Sequence, residues 1–157
     1  MSETRPDIRG SSKLVDVFGY WPSFHDAEVL HFSLDHSGTD DLPGPTAEAS
    51  IHVFEITREV DPNGFCVLQH HSLVNFRFHA VVELELRGFW LQNQLWELEI
   101  SSIADRQLER VKFDVKFFSS VGMSAQFQCH SVEVVSVEAF TGQTWSPPQP
   151  LKFAPTD

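Results

Sequence analysis

The sequence predicts a mostly β protein: an antiparallel sheet meander forming a sandwich or partly open barrel, with one short N-terminal helix. Three observations carry that prediction. Apolar and polar residues alternate over most of residues 27–140, the period of a strand with one buried face. Clusters of Gly, Pro, Asn and Asp punctuate the alternating runs as turns do. A helical period shows only near residues 11–18.

Residues 1–10 are polar and read as a loose arm. Ser11 or Ser12 can cap a short helix through Lys13, Leu14, Val15, Asp16, Val17 and Phe18, which Gly19 and Pro22 then stop. Alternation begins after Ala27, with Leu30, Phe32 and Leu34 on one face and His31, Ser33 and Asp35 on the other. Residues 37–46 hold two prolines, two glycines and the adjacent pair Asp40 and Asp41, which makes an exposed loop. A second strand follows over about 47–57. Asp61-Pro62-Asn63-Gly64 is a turn, since Pro presets one backbone angle and Asn-Gly tolerates positive φ.

Within residues 65–89, Val74, Phe76, Phe78, Ala80, Val82, Leu84 and Leu86 keep a single phase, as one long bent strand or two. After a turn at Gln92-Asn93-Gln94 the pattern resumes in Trp96, Leu98 and Ile100, and after a further loop in Val111, Phe113, Val115 and Phe117. Beyond Gly122 come segments 124–129 and 132–140, whose inward phase slips near His130 and Ser131 as a bulge would produce. The stretch 145–157 holds four prolines and reads as an extended tail. The chain thus divides into an arm (1–10), a β-rich core (11–140) and a Pro-rich tail (141–157) of a single domain spanning 1–157.

Composition bounds the function. At 157 residues and 41% hydrophobic content the chain can bury a core without metals or staples. The absence of an apolar run of about 18 residues, with a polar N-terminus, points to the cytoplasm and away from membranes. Two cysteines, Cys66 and Cys129, lie in no ligand spacing and read as buried thiols rather than a disulfide framework. The formal charge of −11 repels nucleic acid and anionic lipid and attracts a basic partner.

If residues 82–87 pair antiparallel with residues 95–101, Glu85 faces Glu97 and Glu83 faces Glu99. Such directly opposed like charges cost up to about 1 kcal/mol per pair. Lys112 and Lys116 on the next strand can neutralise the cluster; left uncompensated, it is a docking face for a basic protein.

The densest group of chemically capable residues is Trp21-Pro22-Ser23-Phe24-His25-Asp26-Ala27-Glu28. His25 and Asp26 could join a metal site, or His25 could act as a base oriented by a carboxylate. The remaining members are missing, because His70, His71, His79 and His130 recur in no ligand spacing. Gly122-Met123-Ser124-Ala125-Gln126 lacks the second glycine of a nucleophile elbow. No glycine-rich phosphate loop is present, and carboxylates such as Glu83 and Glu85 are too generic on an acidic surface to mark a glycosidase. The residues therefore name no catalytic group, no metal and no cofactor. The more economical role of the cluster is structural: Trp21 and Phe24 anchor the helix end, and His25 or Asp26 bonds to backbone at the turn.

Through Trp21-Pro22-Ser23-Phe24-His25-Asp26-Ala27-Glu28-Val29, Val74-Asn75-Phe76-Arg77-Phe78, and Leu84-Glu85-Leu86-Arg87-Gly88-Phe89 with Asn93, the chain resembles the immunity protein 50 family of bacterial polymorphic toxin systems. The resemblance spans residues 21–140 and is most specific in the Phe-His-Asp segment. It implies a mostly β, non-enzymatic protein that sits in the producer's cytoplasm and neutralises a cognate secreted toxin. Phe24, His25, Asp26 and Glu28, with Trp21 and Pro22, occupy the family motif, and their expected role is to support the fold. The expected toxin-binding face is acidic: Asp40, Asp41, Glu83, Glu85, Glu97 and Glu99. Two other readings compete: a small-molecule or carbohydrate-binding β-domain with Trp90 and Trp96 lining a pocket, and a metal-dependent hydrolase using His25 and Asp26.

Overall fold

The computed structural model describes residues 4–38, 42–106 and 110–140. In chain order the elements are α1 (Ser11–Phe18), β1 (Glu28–Asp35), β2 (Thr46–Val60), β3 (Cys66–His79), β4 (Val82–Arg87), β5 (Gln94–Ser102), a 3-10 turn at Ala104–Arg106, β6 (Phe113–Val121), β7 (Ser124–Cys129) and β8 (Ser131–Ala139). The strands form one eight-stranded antiparallel sheet in the order β4-β7-β6-β5-β1-β2-β3-β8, which does not close into a barrel.

The sheet curls until its two halves face each other. Phe78 on β3 packs edge-on against Phe127 on β7 at 5.0 Å and against Phe117 on β6 at 6.2 Å, although three strands separate β3 from β6 in the sheet. Phe32 of β1 closes on Phe117 from between at 6.0 Å. Residues from α1 and seven of the strands are buried in one hydrophobic cluster, and Leu84 of β4 packs against it. Its aromatic contacts add directional preference to the area that they bury.

Two strands bend together to make this curl. β3 runs into β4 through Ala80, whose φ is 56°, and β7 runs into β8 through His130. His130 N donates to His79 O at 2.9 Å, so the two bends lie side by side. The phase slip expected near His130 is this corner. The expected phase is interrupted at Ala80, where Val81 is buried and Val82, beside Gln128, is exposed. Leu84 then packs against the core as expected, while Leu86, beside the buried Ala125, is exposed on the edge strand.

Other expectations are corrected by local geometry. The helix is capped by Gly10 at φ 71°, with no side-chain cap from Ser11 or Ser12. A Cβ at Gly10 would lie 2.3 Å from the Val134 carbonyl oxygen, so the close approach of the arm to β8 requires glycine. The arm is not loose where described: Ile8 is buried, Arg9 N donates to Val132 O at 2.9 Å, and Val134 N donates to Arg9 O at 2.7 Å. In β1 the register shifts between Val29 and His31, which buries Val29 and leaves Leu34 exposed. Cys129 is buried as expected, whereas Cys66 is exposed at the start of β3. The tail at 141–157 lies outside the described residues.

Candidate functional site

The motif segment forms a corner on which β1, β5 and the connection from β4 converge. Asp26 adopts φ 68°, a conformation that Asp tolerates because its short side chain bonds locally. This turn lets Asp26 N donate to Leu95 O at 2.9 Å and Leu95 N donate to Ala27 O at 2.8 Å. Phe24 points inward, packing on Phe76 at 5.8 Å and on Trp21 at 5.9 Å. His25 points outward: its Nδ1 lies 3.0 Å from Trp96 O, and its ring stands edge-on to the Trp96 indole at 4.7 Å.

Trp96 was expected to share the inward phase of Leu98 and Ile100, but it is 60% exposed. The pairing of β5 with β6 jumps from Leu95–Ser119 to Glu97–Phe118, so Trp96 is the extra residue of a bulge. Bulges re-aim a side chain in this way. The signal was present in the sequence as the three-residue step between the inward residues Leu95 and Leu98.

A second knot holds the other side of the corner. Asn93 is buried; its Oδ1 accepts from Trp90 N at 3.0 Å and from Met123 N at 3.1 Å, and its Nδ2 donates to Trp90 O at 2.8 Å. Its backbone carbonyl accepts from Val29 N at 2.9 Å. A Cβ on Gly122 would lie 2.1 Å from Gln92 O, and one on Gly88 would lie 2.8 Å from Gly122 O. Burial raises the carboxyl of Glu28 above its ordinary pKa, with a hydrogen bond from the Asn93 backbone opposing part of that shift. The motif residues that are far apart in sequence, Phe24 to Glu28, Gly88 and Asn93, thus meet in one place.

The acidic face is arranged otherwise than expected. β4 and β5 are not neighbours: β7 and β6 lie between them, so Glu85 does not oppose Glu97, nor Glu83 Glu99. One row across the sheet runs Glu85, Gln126, Lys116, Glu99, with Lys116 directly beside Glu99. Glu97 faces the exposed Phe118, and Glu83 sits at φ 56° in the irregular start of β4. A trough of about 450 Å³ over this face is lined by both signs of charge, including Glu85, Arg87 and Lys116. Asp40 and Asp41 lie outside the described residues.

His25 Nε2 lies 3.7 Å from Asp26 Oδ2, both side chains being 40% exposed. Among the described residues no group of three or more His, Cys, Asp and Glu side chains converges to hold a metal ion. Several other histidines pair locally. His52 Nε2 meets His71 Nδ1 at 2.9 Å, and His79 Nε2 meets Glu133 Oε1 at 3.2 Å. Trp90 and Trp96 are 62% and 60% exposed, and the depression beside Trp90 holds about 150 Å³. That is well under the roughly 300 Å³ of a typical small-molecule pocket. No helix among the described residues is long and apolar enough to cross a membrane.

A family model for immunity protein 50 matches residues 10–140. The chain belongs to the immunity protein 50 family. No curated protein and no solved structure matches it. In this member of the immunity protein 50 family, the Phe-His-Asp segment splits its work: Phe24 enters the core, Asp26 makes the turn, and His25 braces an exposed tryptophan.

Proposed function

We propose that this chain is a non-enzymatic immunity protein that binds a cognate secreted toxin in the cytoplasm of the producing cell and blocks its activity. The match to the immunity protein 50 family over residues 10–140 carries this reading. Two features support it. The charge of −11 favours encounter with a basic toxin, and steering of this kind raises association rates steeply at low salt. The exposed aromatic residues sit on a braced surface, as anchors of a protein interface do, rather than around an enclosed cavity. Asp40, Asp41, Glu83, Glu85, Glu97 and Glu99 are proposed to supply the long-range field.

The test is co-expression with the toxin domain encoded beside this chain, scoring growth, together with association of the purified proteins at low and moderate salt. Rescue of growth and a complex that forms more slowly as salt rises are the expected results. Loss of growth despite full expression of the folded chain, with no complex at either salt concentration, refutes the reading.

A further inference from the structure

Two large indoles stand out of the corner, and each is held at its base by a residue of the family motif. Trp96 is the extra residue of the β5 bulge, with its carbonyl bonded to His25 Nδ1 at 3.0 Å and its ring braced by the His25 ring at 4.7 Å. Trp90 has both its amide and its carbonyl bonded to the buried Asn93 side chain, at 3.0 and 2.8 Å. Their exposures of 60% and 62% are large for residues whose burial is worth so much. The Trp96 ring is braced by His25 and the Trp90 backbone is fixed by Asn93, so each loses less freedom when a partner covers it than an unrestrained side chain would, which is the property of an interface hot spot.

The charge around the indoles says what would cover them. Two stretches build the corner, residues 19–35 and 88–102, and the charged residues that they place at the corner itself, Asp26, Glu28 and Glu97, are all acidic. Glu99 further along β5 sits beside Lys116, Asp35 lies at the far end of β1, and Arg87 just precedes the second stretch. The Arg5 guanidinium reaches the far end of β5, at Ile100 O, but it is already paired with Asp7 at 3.0 Å. An indole face set among carboxylates attracts a guanidinium or ammonium group both through the ring quadrupole and through the surrounding field. The same charges oppose a second copy of this chain, whose matching surface carries the same excess of acid.

We infer that Trp90 and Trp96 are the anchor residues of the toxin interface, and that they receive Arg or Lys side chains of a basic toxin face, with Glu97 beside Trp96 completing the contact. This rests on the immunity reading above and adds the place and the chemistry of the contact. The Phe-His-Asp segment then acts as a positioning device: it forces the bulge and fixes the indole without itself touching the partner.

The experiment measures association of the purified chain with the toxin domain encoded beside it, for wild type, Trp96→Ala, Trp90→Ala, Glu97→Lys and Phe65→Ala. Phe65 is 70% exposed at the β2–β3 turn and serves as the control for loss of an exposed aromatic residue. Because both indoles are largely exposed, the Ala variants should melt near the wild-type temperature, which is checked for each. The expected result is a loss of affinity of at least tenfold for Trp96→Ala, Trp90→Ala and Glu97→Lys, with less than a twofold change for Phe65→Ala. His25→Ala should weaken binding less than Trp96→Ala, and in the free protein it should shift the emission of the Trp96 indole that it braces. Wild-type binding with unchanged affinity in folded Trp96→Ala and Trp90→Ala overturns the anchor assignment and leaves the immunity reading standing. Absence of binding by the wild type overturns both.

Discussion

The side-chain oxygen of Asn93 lies 3.1 Å from the amide nitrogen of Met123, tying the connection between β4 and β5 to the turn after β6. The same oxygen accepts from Trp90 N, and the amide nitrogen donates to Trp90 O. Asn93→Ala removes all three bonds and leaves the buried Met123 amide and two part-buried Trp90 backbone groups without those partners. Each such group costs about 1–3 kcal/mol, so the expected loss of stability is roughly 2–4 kcal/mol. Urea denaturation of wild type and variant measures it, and a loss under about 1 kcal/mol would show that water replaces the amide.

Tyr20 is the sole tyrosine, and its hydroxyl donates to Glu55 Oε2 at 2.6 Å. That bond, then partial burial, then the negative charge of Glu55 push the phenol up to about 12. The unfolded chain deprotonates near 10, so it loses its proton first, and stability falls as pH rises from about 10 towards 12. Absorbance at 295 nm should titrate with a midpoint about two pH units above that of free tyrosine. Glu55→Gln removes the charge and should bring the midpoint down; an unchanged midpoint would disconnect the shift from Glu55.

Much of this architecture is legible in the residues because a strand writes its buried face with period two. The turn at Asp61 to Gly64, the helix stop at Gly19 and the inward run Phe113, Val115, Phe117 all follow from local chemistry. The failures cluster where one extra residue or one positive φ interrupts the phase: Leu34 after the β1 bulge, Val82 after Ala80, and Trp96 in β5. Strand partners are harder still, since β4 pairs with β7 and β3 with β8 although other strands lie between them in sequence, and no local rule sets those contacts. The misplaced carboxylate pairs, Glu85 with Glu97 and Glu83 with Glu99, follow directly from assuming that consecutive strands are neighbours. The motif corner was legible as a structural joint; its outward product, the exposed Trp96, was hidden by the bulge.

The two thiols should differ sharply in reactivity. Cys66 is exposed, while Cys129 is fully buried, and burial, outweighing a backbone hydrogen bond from Ser131, pushes its thiol up to about 12. The thiolate is the reacting form, so Cys129 is protected both by access and by its proton. Under native conditions a disulfide reagent such as DTNB should titrate one thiol rapidly, and Cys66→Ser should abolish the fast phase. Denaturation should release the second. Two fast thiols in the native protein would contradict the packing around Cys129.

His52 and His71 face each other across β2 and β3, Nε2 to Nδ1 at 2.9 Å, with the Phe140 ring tilted against His52 at 4.3 Å. Burial first, and the charge of His71 second, lower the pKa of His52 to about 4. In the unfolded chain the same imidazole takes up its proton near 6.5, so between pH 6.5 and 4 the unfolded state binds more protons than the folded one. Stability from this group is therefore complete above about pH 6.5 and is lost as pH falls towards 4. A shift of this size corresponds to about 3 kcal/mol for a fully buried group, and the half-exposed position of His52 reduces it to about 1–2 kcal/mol. His52→Gln does not titrate, so between pH 7 and pH 4.5 it should lose that much less stability than the wild type in parallel urea melts. Equal losses in the two proteins would place the acid sensitivity in the carboxylates instead.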